Sequence, residues 1–289
     1  MTSAIRVMAS ALLLASAVTA TAQPAACDRR CLETTVERYL DALVKHDPSA
    51  VPLAATARYT ENGQRLTVGD GLWRSVRSKG KYRLIVADPE AQQVAFVGTL
   101  EEQNADPLLG TPALIALRLK VVGGEITEVE QFITRSVDAA KRVEALGRPH
   151  ATFFQAVPAG ESRPDPATAA SYSSLWSCRE QFESGLLHFV TRIRDRRFVA
   201  VDPERGLVFS FVFFDHAAGE TRDFATPSGR KVTAGPAQPW TWYIAELFKI
   251  ENGLIHRIEA TLERVPYGMT SGWSSWEDGM SDRARDVTH

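Results

Sequence analysis

The sequence predicts an α+β protein made of two tandem cone-shaped units, each a curved, mostly antiparallel sheet with helices on one face. Three observations carry this expectation: an internal duplication, strands of period two that end in turn signals, and one amphipathic helix ahead of the first strands.

The duplication shows when the chain is slid on itself. At an offset of 114 residues, "DGLWRSVRSKGKYRLIVADPE" (70–90) aligns without a gap to "SGLLHFVTRIRDRRFVAVDPE" (184–204). Gly71/Gly185, Leu72/Leu186, Val76/Val190, Arg83/Arg197 and the whole Asp-Pro-Glu recur. At an offset of 129, "LKVVGGEITEVE" (119–130) matches "FKIENGLIHRIE" (248–259). Two matches in the same order argue for paired domains rather than a solenoid.

Taken from the N-terminus, residues 1–22 read as a signal peptide. Arg6 is the basic start, "VMASALLLASAV" the apolar stretch and Ala20-Thr21-Ala22 the cleavage site. The expected location is periplasmic or extracellular. The 23–138 segment forms the first unit, 139–169 a linker, and 170–289 a second, reduced unit with a tail. In the first unit "CLETTVERYLDALVKHD" places Leu32, Val36, Tyr39, Leu40 and Leu43 on one helical face, with Asp28 as N-cap. Each unit then has a short helix, a strand ending at Asp-Pro-Glu, a second strand (93–101; 206–214) and a final hairpin. The hairpin turns are Gly123-Gly124 and Asn252-Gly253, residue pairs that accept positive φ. The second unit lacks a counterpart of the first helix, because 148–166 is Pro-rich and non-periodic.

Composition narrows the function. Apolar content of 44%, charge of 24% and a net charge of −2 fit a globular protein and give no case for nucleic acid or a membrane surface as partner. Of the three cysteines, Cys27 and Cys31 could bridge locally, and a link from Cys178 to either stays open. Metal-ligand spacing, a phosphate loop and a Ser nucleophile elbow are absent.

With "YTENG" (59–63), "GDGLW" (69–73), "AELFKI" (245–250) and a "PYG…W" tail (Pro266 to Gly268, Trp273), the chain resembles secreted tandem proteins of the nuclear transport factor 2-like superfamily, in its polyketide-cyclase-like branch. The resemblance implies a cone enclosing an apolar pocket, where a few Asp, Glu, His or Tyr side chains act on a small molecule without a cofactor. It implies a lyase or isomerase type of acid/base enzyme on an oxygenated, partly apolar substrate, or an exported protein that only binds such a ligand. It also implies a monomer whose two cones pack sheet against sheet as an intramolecular pseudo-dimer.

Two sets of residues are candidates for the chemistry. Tyr59 and Glu61 share a strand face beside Trp73, with Asn62 next in line, so a phenol, a carboxylate and an amide could hold a carbonyl or hydroxyl. In the second unit, counting outward from Asn252-Gly253 pairs Phe248 with Arg257, Glu246 with Glu259 and Ile244 with Thr261, all on the face of Trp242. Two opposed carboxylates there would share a proton, or be relieved by Arg257, or else form a solvated rim pair. His256 is expected opposite Lys249. Arg197, with Arg196, is expected to make local salt bridges or to clamp a substrate carboxylate. Asp215-His216 is a weaker acid/base pair, and "WTWY" (240–243) reads as core or as a pocket wall.

Overall fold

A computed structural model describes residues 26–104, 110–157, 189–219, 221–225, 231–235 and 237–287. The expected signal peptide, Cys178 and the second unit's Gly-Leu-Leu helix lie outside these residues, as does the 158–166 part of the segment where its first helix was expected to be missing.

Helix α1 (Arg29–Val44) buries Leu32, Val36, Tyr39, Leu40 and Leu43, the face expected from spacing. Asp28 caps it, its carboxylate accepting from Cys31 N at 2.8 Å, and a Cys27–Cys31 disulfide closes the first turn. The first sheet runs β2-β1-β6-β5-β4-β3. Its strands are β1 (Leu53–Glu61), β2 (Gln64–Arg65), β3 (Val76–Asp88), β4 (Gln93–Gln103), β5 (Gly110–Val122) and β6 (Glu125–Thr134), with α2 (Leu72–Ser75) ahead of β3. Only the β1–β6 pair is parallel. The second sheet runs β12-β11-β8-β7-β13. It comprises β7 (Arg192–Asp202), β8 (Leu207–His216), β11 (Trp240–Glu251), β12 (Leu254–Val265) and β13 (Ala284–Asp286), and β13 alone pairs in parallel. A small hairpin, β9 (Arg222–Ala225) and β10 (Lys231–Ala234), stands apart from both sheets. The architecture is α+β in two mixed-sheet units.

Each unit keeps one sheet face for itself and shares the other. In the first unit α1 covers a core of Leu117, Leu119, Val129 and Ile133. The opposite face packs Leu84, Val86, Ala116 and Phe132 against Phe209, Phe211, Phe213, Tyr243 and Leu247 of the second sheet. The segment expected as a linker begins inside α3 (Val137–Leu146), and Phe153 just beyond it is buried in that shared core.

The two Asp-Pro-Glu copies do the same work. Asp88 Oδ1 accepts from Ala91 N at 3.0 Å, and Asp202 Oδ1 from Glu204 N and Arg205 N at 3.1 and 3.0 Å, so each aspartate closes its own turn. Each also reaches the other unit. Asp88 Oδ2 accepts from Val201 N at 2.8 Å, while Arg29 of α1 grips Asp202 with two bonds of 2.7 and 2.5 Å. The repeated motif is a pair of reciprocal ties.

One expected register is corrected. Both final hairpins turn where expected, with positive φ at Gly123-Gly124 and Asn252-Gly253. Past the turn, however, Ile250 pairs with Ile255 and Lys249 with Arg257, leaving His256 as an extra bulge residue. The first unit repeats this bulge at Thr127, between Val121/Ile126 and Lys120/Glu128. The slip places Glu246 opposite Ala260 and Glu259 opposite Leu247. With a side-chain period of two, the carboxylates occupy opposite faces. They are not a pair.

Candidate functional site

Inside the first unit, Tyr59 and Glu61 do share a face at the end of β1. The Tyr59 hydroxyl lies 3.2 Å from both Glu61 Oε2 and Asp70 O and accepts from Gln131 Nε2 at 3.0 Å. Gln131 Oε1 in turn accepts from the Tyr39 hydroxyl at 2.8 Å. Burial above all, with Tyr39 and Glu61 close beside it, raises the Tyr59 phenol above its ordinary range and keeps it a neutral donor. Glu61 accepts from Leu72 N at 2.7 Å and from Arg135 at 3.1 Å. Arg135 also holds Glu102, which accepts from Ser75 at 2.5 Å. Trp73 packs edge-on against Tyr39 with ring centroids 5.2 Å apart. Tyr59, Glu61, Gln131 and Glu102 are thus all hydrogen-bonded within the chain, while the buried Trp73 indole N–H has no hydrogen-bond partner.

Asn62 is a turn residue at φ 48°, and its amide copies a backbone pair, donating to Ile133 O at 3.0 Å and accepting from Ile133 N at 2.7 Å. Its expected substrate contact is therefore replaced by a structural one. The motifs "YTENG", "GDGLW" and the tail meet here. A Cβ at Gly71 would overlap Glu61, and one at Gly63 would strike Met269. Trp273 Nε1 donates to Thr60 Oγ1 at 2.8 Å, with the Arg58 and Arg118 guanidiniums over its ring at 4.2 and 4.5 Å. Gly71 sits at φ 64°, so Gly71→Ala combines backbone strain with displacement of Glu61. A loss of about 2 kcal/mol or more is expected, read as a lower denaturant midpoint with an unchanged slope.

A shallow apolar cleft of about 260 Å³, counting the space open to solvent, lies between α1 and β3–β4. Leu40, Leu43, Val76, Phe96 and Ile115 line it with Lys79 and Arg83, and none of the expected catalytic side chains does. Lys79 and Arg83 are themselves engaged by Asp41 and Glu37.

Arg197 clamps a carboxylate, but it is the chain's own. It is 2% exposed and makes two bonds to Glu130 of the first unit, at 3.0 and 2.8 Å. The Tyr243 hydroxyl donates to the same carboxylate at 2.7 Å, and Arg118 lies 3.3 Å from its other oxygen. Arg197 occupies this shared face because a bulge between Phe198 and Ala200 shifts the strand. Its counterpart Arg83 instead faces Glu37 on α1. Arg197, expected as a substrate clamp, is buried and bound to Glu130 instead.

Among the described residues, the second unit holds the one buried carboxylate without a hydrogen bond. Glu246 is 4% exposed, and its Oε1 has no hydrogen-bond partner. Ser210 and Ala260 flank it across the ladder. Trp242, Ile244 and Phe248 follow it on the same face by alternation, so the expected neighbourhood of Trp242 holds. Burial pushes Glu246 up to about 8, with no charge contributing. Glu259, on the other face, accepts from the Tyr82 hydroxyl of the first unit. Burial raises Glu259 as well, while Tyr82 and Arg257 pull it back. Arg257 is exposed, and its charge acts on both Glu259 and Tyr82.

Asp215 and His216 diverge. Burial would raise Asp215, but Arg194, Thr241 and Arg192 hold it below its ordinary value. His216 stacks on Trp240 at 3.7 Å and is pushed down to about 4 by burial. The expected residues thus fall in four places: Tyr59, Glu61, Asn62 and Trp73 in the first unit's interior, Arg197 between the sheets, Glu246 with Trp242 on one face of the second sheet, and Glu259 with Arg257 on its other face. Sequence reading missed Gln131 and Arg135, although Gln131 follows Glu130 and must face away from it. It also missed Ser210, whose position beside Glu246 depends on strand pairing.

A family model described as "Domain of unknown function (DUF8021)" matches residues 25–133 and again 151–262. No curated protein matches the chain. Among solved structures, the chain is similar to a candidate polyketide cyclase from Silicibacter sp. TM1040, at 16% identity and TM-score 0.30, covering 38% of this chain and 93% of that one. It is similar to a candidate hydroxylase from Streptomyces galilaeus at 15% identity and TM-score 0.31, over 46% and 91%. An LEH-like epoxide hydrolase of M. tuberculosis matches at 22% identity and TM-score 0.30, over 39% and 89%.

Proposed function

Since the chain belongs to the family described as Domain of unknown function (DUF8021), with one copy in each half, we propose a function from its side chains: an exported, cofactor-independent acid/base protein acting on a small oxygenated, partly apolar molecule. The observation that carries this reading is Glu246, buried, without a hydrogen-bond partner and pushed up to about 8. A carboxyl that titrates near neutrality can both take and return a proton. Ser210, directly across the ladder, adds a hydroxyl side chain on the same sheet face. The chemistry belongs at Glu246 rather than at Tyr59 and Glu61, whose hydrogen bonds the chain itself takes up. The two units work within one chain as a monomeric pseudo-dimer, the ties at Asp88, Asp202 and Glu130 joining them.

In this mechanism the Glu246 carboxylate removes a carbon-bound proton next to a carbonyl, and the carboxyl so formed returns it to the same or a neighbouring atom. Such a transfer is the first step shared by lyase and isomerase reactions. Deuterium uptake from heavy water into cyclohexanone, followed by proton NMR, tests it. Wild type should catalyse exchange, faster above pH 8 than below, and Glu246→Gln should not. Equal rates in the two proteins would sink the catalytic reading. Glu246-dependent binding without exchange would instead support an exported binding protein.

A further inference from the structure

Eight carboxylates are buried among the described residues: Glu61, Asp88, Glu102, Glu130, Asp195, Asp202, Asp215 and Glu246. Seven accept hydrogen bonds from the chain, and six of those include a guanidinium. Arg135 serves Glu61 and Glu102, Arg197 serves Glu130, Arg285 serves Asp195, Arg29 serves Asp202 and Arg194 serves Asp215. Asp88 takes two backbone N–H groups. Glu246 alone takes nothing.

Resting on the reading of Glu246 as the reactive group, we propose that the missing donor is carried by the ligand, and that it is a protonated amine on an apolar, oxygenated body. The surroundings favour a cation. The ladder neighbours of Glu246 are Ser210 and Ala260, and along its own strand Ile244 and Phe248, all uncharged. On this face the charged or titratable side chains of the described strands are Arg196 on β7, His216 on β8, Arg264 on β12 and Asp286 on β13. None of them stands next to Glu246 in the ladder. A ligand anion would meet a carboxyl and no counter-charge. An ammonium would meet a carboxylate with the Phe248 side chain next to it on the same strand face.

The chemistry that follows is balanced within the pair. The N–H proton passes to the Glu246 carboxylate, giving a neutral carboxylic acid and an amine with a free lone pair. A carboxyl at about 8 is a better match for an ammonium donor than an ordinary glutamate is.

The test uses the full chain and three probes of one shape: cyclohexylamine, cyclohexanol and cyclohexanecarboxylate, titrated calorimetrically at pH 6.5 and 8.5. Cyclohexylamine should bind at least tenfold tighter than the other two at pH 8.5. It should weaken about twentyfold at pH 6.5, as the carboxyl protonates, and lose binding in Glu246→Gln. Cyclohexanol or the carboxylate binding as tightly as the amine would overturn the inference. So would amine binding that ignores pH in the wild type, a readout that needs no variant. Glu246-dependent cyclohexanol binding without amine binding would reject the amine and leave the proposed function standing. No Glu246-dependent binding of any probe would count against both.

Discussion

Replacing Glu246 with glutamine will leave stability nearly unchanged near pH 4 and raise it by several kcal/mol at pH 8. The sign follows from the direction of the shift. The folded carboxyl titrates at about 8 against an ordinary 4.5, so the unfolded chain releases its proton first as pH rises. The wild type therefore keeps the full benefit of a protonated Glu246 below about 4.5 and loses it progressively up to about 8. At ~1.36 kcal/mol per pH unit, the loss amounts to roughly 5 kcal/mol. Glutamine has no proton to lose. The variant's thermal midpoint should pull ahead of wild type as pH rises, by on the order of 10 °C at pH 8. Midpoints that stay parallel from pH 4 to pH 8 would mean that Glu246 is solvated or paired.

The second large effect is expected at the join between the units. Arg197→Met leaves Glu130 buried, with only Arg118 at 3.3 Å and Tyr243 at 2.7 Å in place of a two-bond guanidinium clamp. Removing one partner of a buried pair costs about 3–5 kcal/mol, chiefly because the other charge is stranded. A fall in thermal midpoint on the order of 10 °C should follow. Adding Glu130→Gln should recover part of that loss, since no orphan charge then remains. A double variant weaker than Arg197→Met by the full cost of a second independent lesion would show that the two side chains are not coupled.

Features set by local chemistry were legible in the sequence. Asp28 as N-cap, the buried stripe of α1 and the two turns at Gly123-Gly124 and Asn252-Gly253 follow from spacing and from residues that tolerate positive φ. The duplication was legible too, and it explains why Asp88 and Asp202 are placed to answer each other. The separation of Glu246 from Glu259 was not, because one bulge residue reverses every face beyond it. A signal was present. Ile126 and Val129, like Ile255 and Ile258, stand three apart in strands whose period is two.

Arg197 was misjudged for a different reason. Its carboxylate, Glu130, lies 67 residues away in the other unit, and the aligned Arg83 suggested a local partner instead. The face of Glu246 was legible from Trp242 by alternation. Its isolation was not, since that depends on what β8 and β12 place beside it.

The most direct measurement is the titration of Glu246 itself. Glutamate labelled with carbon-13 at the side-chain carboxyl gives one resonance per residue, and Glu246→Gln identifies the relevant one by its disappearance. The account predicts that this carboxyl titrates with a midpoint near 8, well apart from the exposed glutamates. A midpoint in the ordinary carboxylate range, near ~4.3, would contradict it and remove the proton-transfer group from the proposed site.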